Sequence, residues 1–170
     1  MGLDISAYEN ITKQQIRPDR DDERADEYFW CRINTDFPGR ADDLEDGAAY
    51  SYERSMCFAA GAYSGYGQWR EELAKLAGYP KRLHLSEFKP PKEMHSQGAW
   101  DSTEGPFWEL INFADNEGVI GSQVAAKLAR DFAAYQTKAD QHPDEWFQKK
   151  YSDWRKAFEM AARNGAVHFH

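Results

Sequence analysis

Residues 50–80 read YSYERSMCFAAGAYSGYGQWREELAKLAGYP, and a change of hydrophobic period inside this stretch decides the fold class. Tyr50, Tyr52, then Met56, Phe58 and Ala60 recur with a period of two, the signature of a strand with one buried face. Ser64-Gly65-Tyr66-Gly67 breaks the strand, and the period changes. Trp69, Leu73, Leu76 and Ala77 fall at i, i+4, i+7 and i+8, one apolar stripe of a helix. Gly78 and Pro80 close it, glycine as a left-handed cap and proline because it cannot continue a helix.

The same two periods recur on both sides. Leu3, Ile5 and Ala7 oppose Asp4 and Ser6, so Gly2–Tyr8 reads as a strand, although Met1 to Ser6 also fits the template for N-terminal myristoylation. Residues 9–27 are polar and carry Pro18, as a connection would. Tyr28 to Ile33 is a second strand, ended by Asn34, Pro38 and Gly39, and 40–47 is an acidic loop. From Lys81 to Glu104 the chain has Pro90-Pro91, Gly98 and few apolar residues. It reads as a long loop, mobile around 86–104, with a short strand at Leu83–Phe88.

Pro106 begins a second helix with Phe107, Leu110, Ile111 and Ala114 on its face. Asp115-Asn116-Glu117-Gly118 ends it as a polar turn. Ser122 caps a third, whose stripe is Val124, Leu128, Phe132 and Tyr135. A fourth starts near Pro143, with Asp144 and Glu145 suiting the helix dipole and Phe147, Tyr151, Trp154, Phe158 and Ala161 as its stripe. Asn164-Gly165 stops it, and residues 166–170 alternate as a last strand. The pattern predicts a single α+β domain over 1–170, a mostly antiparallel sheet of about four strands packed against about four helices.

Composition explains what such a core is made of. The 170 residues include 6 Trp, 9 Tyr and 10 Phe but only 17 Ile, Leu and Val. So few aliphatics with net charge would suggest disorder, but aromatics bury large areas each and supply the core instead. Twenty-one basic residues against 29 acidic ones give a net charge of −8. A uniform basic footprint is absent, so direct nucleic-acid binding is not expected. The acids cluster at Asp19, Asp21, Asp22, Glu23, Asp26 and Glu27, interleaved with arginines, and again at Asp42, Asp43, Glu45 and Asp46. Cys31 and Cys57 read as free thiols of a reducing compartment. No run is long enough to span a membrane and no leader opens the chain, so a cytosolic protein is expected.

Four features carry candidate chemistry. Tyr63-Ser64-Gly65-Tyr66-Gly67, with Arg70 beyond, runs from strand into helix, where unpaired N–H groups and a dipole favour an anion. It lacks the lysine of a phosphate-binding Walker loop, and purely structural glycines explain it as well. Asp115, Asn116 and Glu117 offer oxygen ligands or an acid–base pair, yet capping between two helices accounts for the same residues. His168 and His170, two apart on a strand, share a face and could form part of a metal site, although no zinc spacing supports one. Trp30, Trp100, Trp108 and Trp146 fall near loops or element ends, where an indole can line a pocket. Tyr63, Tyr66, Trp100 and Trp108 flank the glycine turn or the long loop, the first places to seek a ligand.

Several segments together resemble small uncharacterised proteins of tailed bacteriophages and prophages: MGLDISAY at the start, FPGRADDLED at 37–46, the stretch from Ala60 into its helix, FWELINFADNEGVIGSQVAAKLAR at 107–130, and the closing GAVHFH. The resemblance implies a bacterial host cytosol during infection and an accessory or anti-defence role, and it carries over no catalytic residue. Three functions follow. The first is a non-enzymatic protein binding a small anionic ligand such as a nucleotide, with no cofactor. The second is an acidic protein–protein inhibitor of a host nucleic-acid-handling or defence complex. The third is a metal-assisted hydrolase using Asp115 and Glu117.

Overall fold

The computed structural model describes residues 2–15, 25–86, 90–113 and 117–170, with Asp26 described by its backbone alone. In chain order the strands are β1 (Leu3–Glu9), β2 (Thr12–Lys13), β3 (Tyr28–Trp30), β4 (Ala49–Ser51), β5 (Arg54–Gly61), β6 (Arg82–His84), β7 (Lys92–Met94), β8 (Gly118–Gly121) and β9 (Ala166–Phe169). The helices are α1 (Tyr63–Ala77), α2 (His95–Trp100), α3 (Trp108–Ile111), α4 (Ser122–Asp140) and α5 (Glu145–Ala161). The class is α+β. A four-stranded antiparallel sheet runs β5-β1-β9-β8, and β2-β4-β3 and β6-β7 form two smaller antiparallel sheets.

Alternation divides the main sheet into two faces. Leu3, Ile5, Ala7, Phe58, Ile120, Val167 and Phe169 point toward α1, α4 and α5 and join the larger core. The aromatic stripes meet there: Trp69 and Trp154 stack with centroids 5.3 Å apart, and Phe58 meets Trp154 edge-on at 5.1 Å. Trp69, Trp154, Tyr151, Phe147 and Phe158 are among the largest fully buried side chains. Each such burial is worth roughly 1.5–3 kcal/mol. On the opposite face Tyr8 stacks on Phe29 at 4.5 Å, and the β2-β4-β3 sheet closes a smaller core with Cys31, Tyr50, Val119 and Ala166.

Helix ends follow the sequence in two cases. Gly78, at φ +88°, ends α1 with its N–H bonded to the Lys75 carbonyl, and the Asp144 side chain accepts from Trp146 N–H at the start of α5. At α4 the cap differs. Ser122 is the first helical residue, and its N–H and hydroxyl both donate to Asp43, at 2.8 and 2.6 Å. The capping carboxylate thus comes from the acidic loop, 79 residues earlier.

Four segments depart from the sequence reading. The strand region read from Tyr50 to Tyr63, one long strand or a bent one, is two strands, β4 and β5, in different sheets. The loop read across 81–104 contains the β6-β7 hairpin and α2, which has no apolar stripe to announce it. Gly98 lets α2 dock, because a Cβ there would lie 2.0 Å from the Pro80 carbonyl oxygen. The helix read from Pro106 begins only at Trp108 and lasts four residues. Gly118, read as the end of a polar turn, instead opens the fully buried strand β8, Gly118–Gly121.

Candidate functional site

The glycine-rich stretch is not a loop. Helix α1 starts at Tyr63, so Ser64, Gly65, Tyr66 and Gly67 are its first turns. The break in the chain is one step earlier, at Gly61 with φ +105°. A Cβ on Gly65 or Gly67 would meet nothing within 4 Å, so packing does not require glycine at either. Tyr63 is 43% exposed. Ser64 and Gly67 border a groove of about 850 Å³ with Glu71, Glu72, His84 and Lys92. Burial works to raise the pKa of Glu71, but the N–H groups of Ser96 and His95 outweigh it and lower the value. Glu71 thereby remains an anion that caps α2, accepting from His95 N–H at 2.9 Å and Ser96 N–H at 2.8 Å. The groove therefore sets two carboxylates against one lysine, a poor setting for an anion.

Tyr66 and Arg70 turn the other way, into the core. They lie four apart on α1 and grip the end of α3, where helical carbonyls lack partners. The Tyr66 hydroxyl donates to the Phe113 carbonyl at 2.9 Å, and Arg70 Nη1 donates to the Ile111 carbonyl at 2.8 Å. Burial raises the Tyr66 pKa and lowers that of Arg70. Arg70 is 8% exposed, and its Nε has no partner. Its guanidinium stands 4.9 Å from the Tyr66 ring and 5.9 Å from the Trp100 ring.

Trp100 leads to a second concavity, a cleft of about 410 Å³ lined by Asp36, Phe37, Pro38, Arg40, Trp100, Trp108 and Asn112. Each wall is fixed from behind. The Trp100 indole N–H donates to the same Ile111 carbonyl at 3.2 Å, and the Trp108 indole N–H donates to the Ser102 carbonyl at 2.8 Å. Phe107, at φ +56°, directs the chain into α3 while its own side chain is fully buried. Its N–H donates to Asp131, and Lys127 pairs with both Asp131 and Glu109, so α4 holds this corner.

Arg40 supplies the cleft's charge. It is 6% exposed, with its guanidinium 4.4 Å from the Trp108 ring centroid. Its Nε and Nη1 donate to the carbonyls of Glu109 and Pro38, at 3.0 and 3.1 Å. Burial lowers its pKa, and the Glu109 charge partly opposes that. Guanidinium nevertheless stays protonated in proteins. Among the described residues neither Arg40 nor Arg70 forms an ion pair with a carboxylate, so each tryptophan is backed by a buried cation bonded only to carbonyls.

The remaining candidates separate. Asp115 and Asn116 lie outside the described residues. Glu117 pairs with Arg32, away from the lining of the cleft and of the Ser64 groove. His168 and His170 do share a face, their rings stacked at 4.9 Å, with His170 Nε2 2.9 Å from Ser6 Oγ. Among the described residues no group of three or more His, Cys, Asp or Glu is placed to hold a metal ion. Of the second acidic cluster, Asp43 caps α4, Asp46 accepts from Ile33 N–H, and Glu45 pairs with Lys13. Of the first, residues 19–24 lie outside the described residues.

The cleft thus joins two anticipated residues, Trp100 and Trp108, to one the sequence reading passed over. Arg40 opens an acidic, loop-like run, and nothing local marks it. Its only sequence signal is being a lone cation ahead of Asp42, Asp43, Glu45 and Asp46. No helix among the described residues is long and apolar enough to cross a membrane. Compared with protein families, with characterised proteins and with solved structures, the chain matches none.

Proposed function

We propose that this chain is a non-enzymatic binding protein whose Trp100–Trp108 cleft takes a small planar anion, a nucleotide foremost. One observation carries the reading: two arginines, each about nine-tenths buried and free of carboxylate contacts among the described residues, stand against the two indoles at this cleft. An unpaired buried cation is costly, and a bound anion would offset that cost. Indoles stack on any nucleobase, typically for ~1–3 kcal/mol per base. The volume falls within the range of small-molecule sites. Relative to the sequence reading, the ligand moves from the start of α1 to the far side of Trp100.

The resemblance to phage-encoded proteins gives this binding its setting, the cytosol of an infected bacterium, with an accessory anti-defence role. The test is calorimetric titration of the full chain with nucleoside mono-, di- and cyclic phosphates and with the parent nucleosides, alongside quenching of tryptophan fluorescence. Binding should favour the phosphorylated form and weaken on Arg40→Gln. A flat response across the whole series would end the proposal.

A further inference from the structure

The main sheet has two edges, and the chain treats them differently. At the β8 edge Gly121 N–H donates to the Arg40 carbonyl at 2.8 Å, and the Asn34 side chain reaches the Glu117 carbonyl at 2.8 Å. That edge is closed by the molecule's own loop. At the other edge lies β5, eight residues long and, among the described residues, paired on one side only, with β1.

Register shows which backbone groups of β5 remain open. Asp4 and His170 exchange both hydrogen bonds, so the even residues of β1 face β9 and the odd ones face β5. Phe58 and Met56, opposite Ile5 and Ala7, are therefore bonded to β1. Ser55, Cys57 and Ala59 turn their N–H and C=O groups outward. Their side chains are small and exposed on the face away from the helices. The run from Ser55 to Gly61 contains no charge and no proline, the usual guards of an edge. Among the described residues the guard is Lys150, which donates to the Ala59 carbonyl from a flexible stem.

We propose that β5 pairs with β5 of a second copy of this chain, antiparallel about a two-fold axis at Cys57, joining two sheets into one of eight strands. The occupant must be an extended strand, because the open groups are a backbone row. A second copy fits by charge and by symmetry. Cys57 is the outward residue nearest the strand's midpoint, and an axis there sets Ser55 opposite Ala59 twice over. The uncharged centres meet without repulsion. The two Arg54 side chains stay far apart, each held by Glu9 of its own chain.

Sedimentation equilibrium of the full chain over a concentration series, under reducing conditions, tests this. The mass should rise from 19.6 kDa to twice that value. Cys57→Asp and Cys57→Lys each place like charges face to face and should hold the chain monomeric, whereas an equimolar mixture of the two should regain the doubled mass. Circular dichroism checks that both variants fold. A wild-type chain that stays at the monomer mass overturns the proposal, as does a dimer that both variants leave intact, or a mixture that remains monomeric. A monomer that instead binds a synthetic peptide of residues 54–61 overturns the second copy in favour of a peptide partner.

Discussion

The cleft between Trp100 and Trp108 and the groove beside Ser64 and Gly67 share a wall, since His84 of the groove meets Trp100 of the cleft edge-on at 5.5 Å. Their charge differs in balance: the groove sets Glu71 and Glu72 against Lys92, and the cleft sets Arg40 against Asp36. The groove is the larger, at about 850 against 410 Å³, and it holds Glu71 and Glu72. The cleft is backed by Arg40 and Arg70. Size alone would choose the groove, and the glycine-rich sequence beside it would agree. Charge chooses the cleft, because the buried Arg40 keeps its field while the exposed Asp36 carboxylate at the same cleft is screened by water. A residue's neighbourhood in sequence says little about what its side chain serves: Ser64 and Arg70 are six residues apart, yet Ser64 borders the groove and Arg70 is buried behind Trp100.

The largest effect is expected from displacing the wall itself. Gly98→Ala forces α2 off Pro80, and since the obstacle is backbone the expected loss is about 3 kcal/mol of stability, read from denaturant midpoints. Nucleotide affinity should fall with it, since Trp100 of α2 walls the cleft, and an affinity that persisted would place the ligand elsewhere.

His168 shows what burial does to a cation able to release its proton. Burial, then the charge of His170, lowers its pKa to about 4. The unfolded chain binds that proton near pH ~6.5. Stability from a neutral His168 is therefore complete above the unfolded value and is lost as pH falls toward 4. The expected loss is roughly 2–3 kcal/mol across that window. His168→Gln should flatten it, and a denaturant midpoint independent of pH there would refute the assignment. Arginine has no such exit, which is why Arg40 and Arg70 remain charged and the cleft remains set for an anion.

Two substitutions separate binding from folding. Arg70→Met removes a buried charge lacking a carboxylate, so stability should change by no more than about 1 kcal/mol. Affinity for a nucleotide should drop about tenfold, close to the 1.4 kcal/mol of one lost charge contact. An unchanged affinity would reduce Arg70 to a clamp on α3. The smallest effect belongs to the groove: Gly67→Ala should raise stability by about 0.5–1 kcal/mol, since the site is helical and open, and leave affinity unaltered. If it abolished binding, the comparison would reverse.

The fold was legible where periodicity is long and self-contained. Strand β1, the stripes of α1, α4 and α5, and β9 each bury a face that their own spacing declares. What could not be read depends on partners distant in sequence. Helix α2 has no stripe, and it exists because Glu71 caps it and Gly98 permits its approach. Strand β8 is four residues with glycine at both ends, and Gly121 is needed there because Asp43 comes within 1.9 Å of where a Cβ would sit. Of the cleft, Trp100 and Trp108 were visible as aromatics near loops. Arg40 was not, because its role comes from contact with Trp108, 68 residues on. That Tyr66 and Arg70 turn inward was not legible, because a one-dimensional reading cannot tell a helix's buried side from its open one at its first turns.

The place of β9 in the sheet also governs how the chain comes together during synthesis. β9 lies between β1 and β8, pairing Ile5 with Phe169 and Gly118 with that same residue. Until residues 166–169 have left the ribosome, the β1–β5 pair and β8 have no strand between them. The nascent chain must keep Leu3, Ile5 and Ile120 from other partners while the helices between them are being made. Contacts spanning so much sequence are slow to close. The final cooperative step is therefore an insertion by the most C-terminal strand described, and a polypeptide truncated before it leaves two half-sheets with exposed apolar edges.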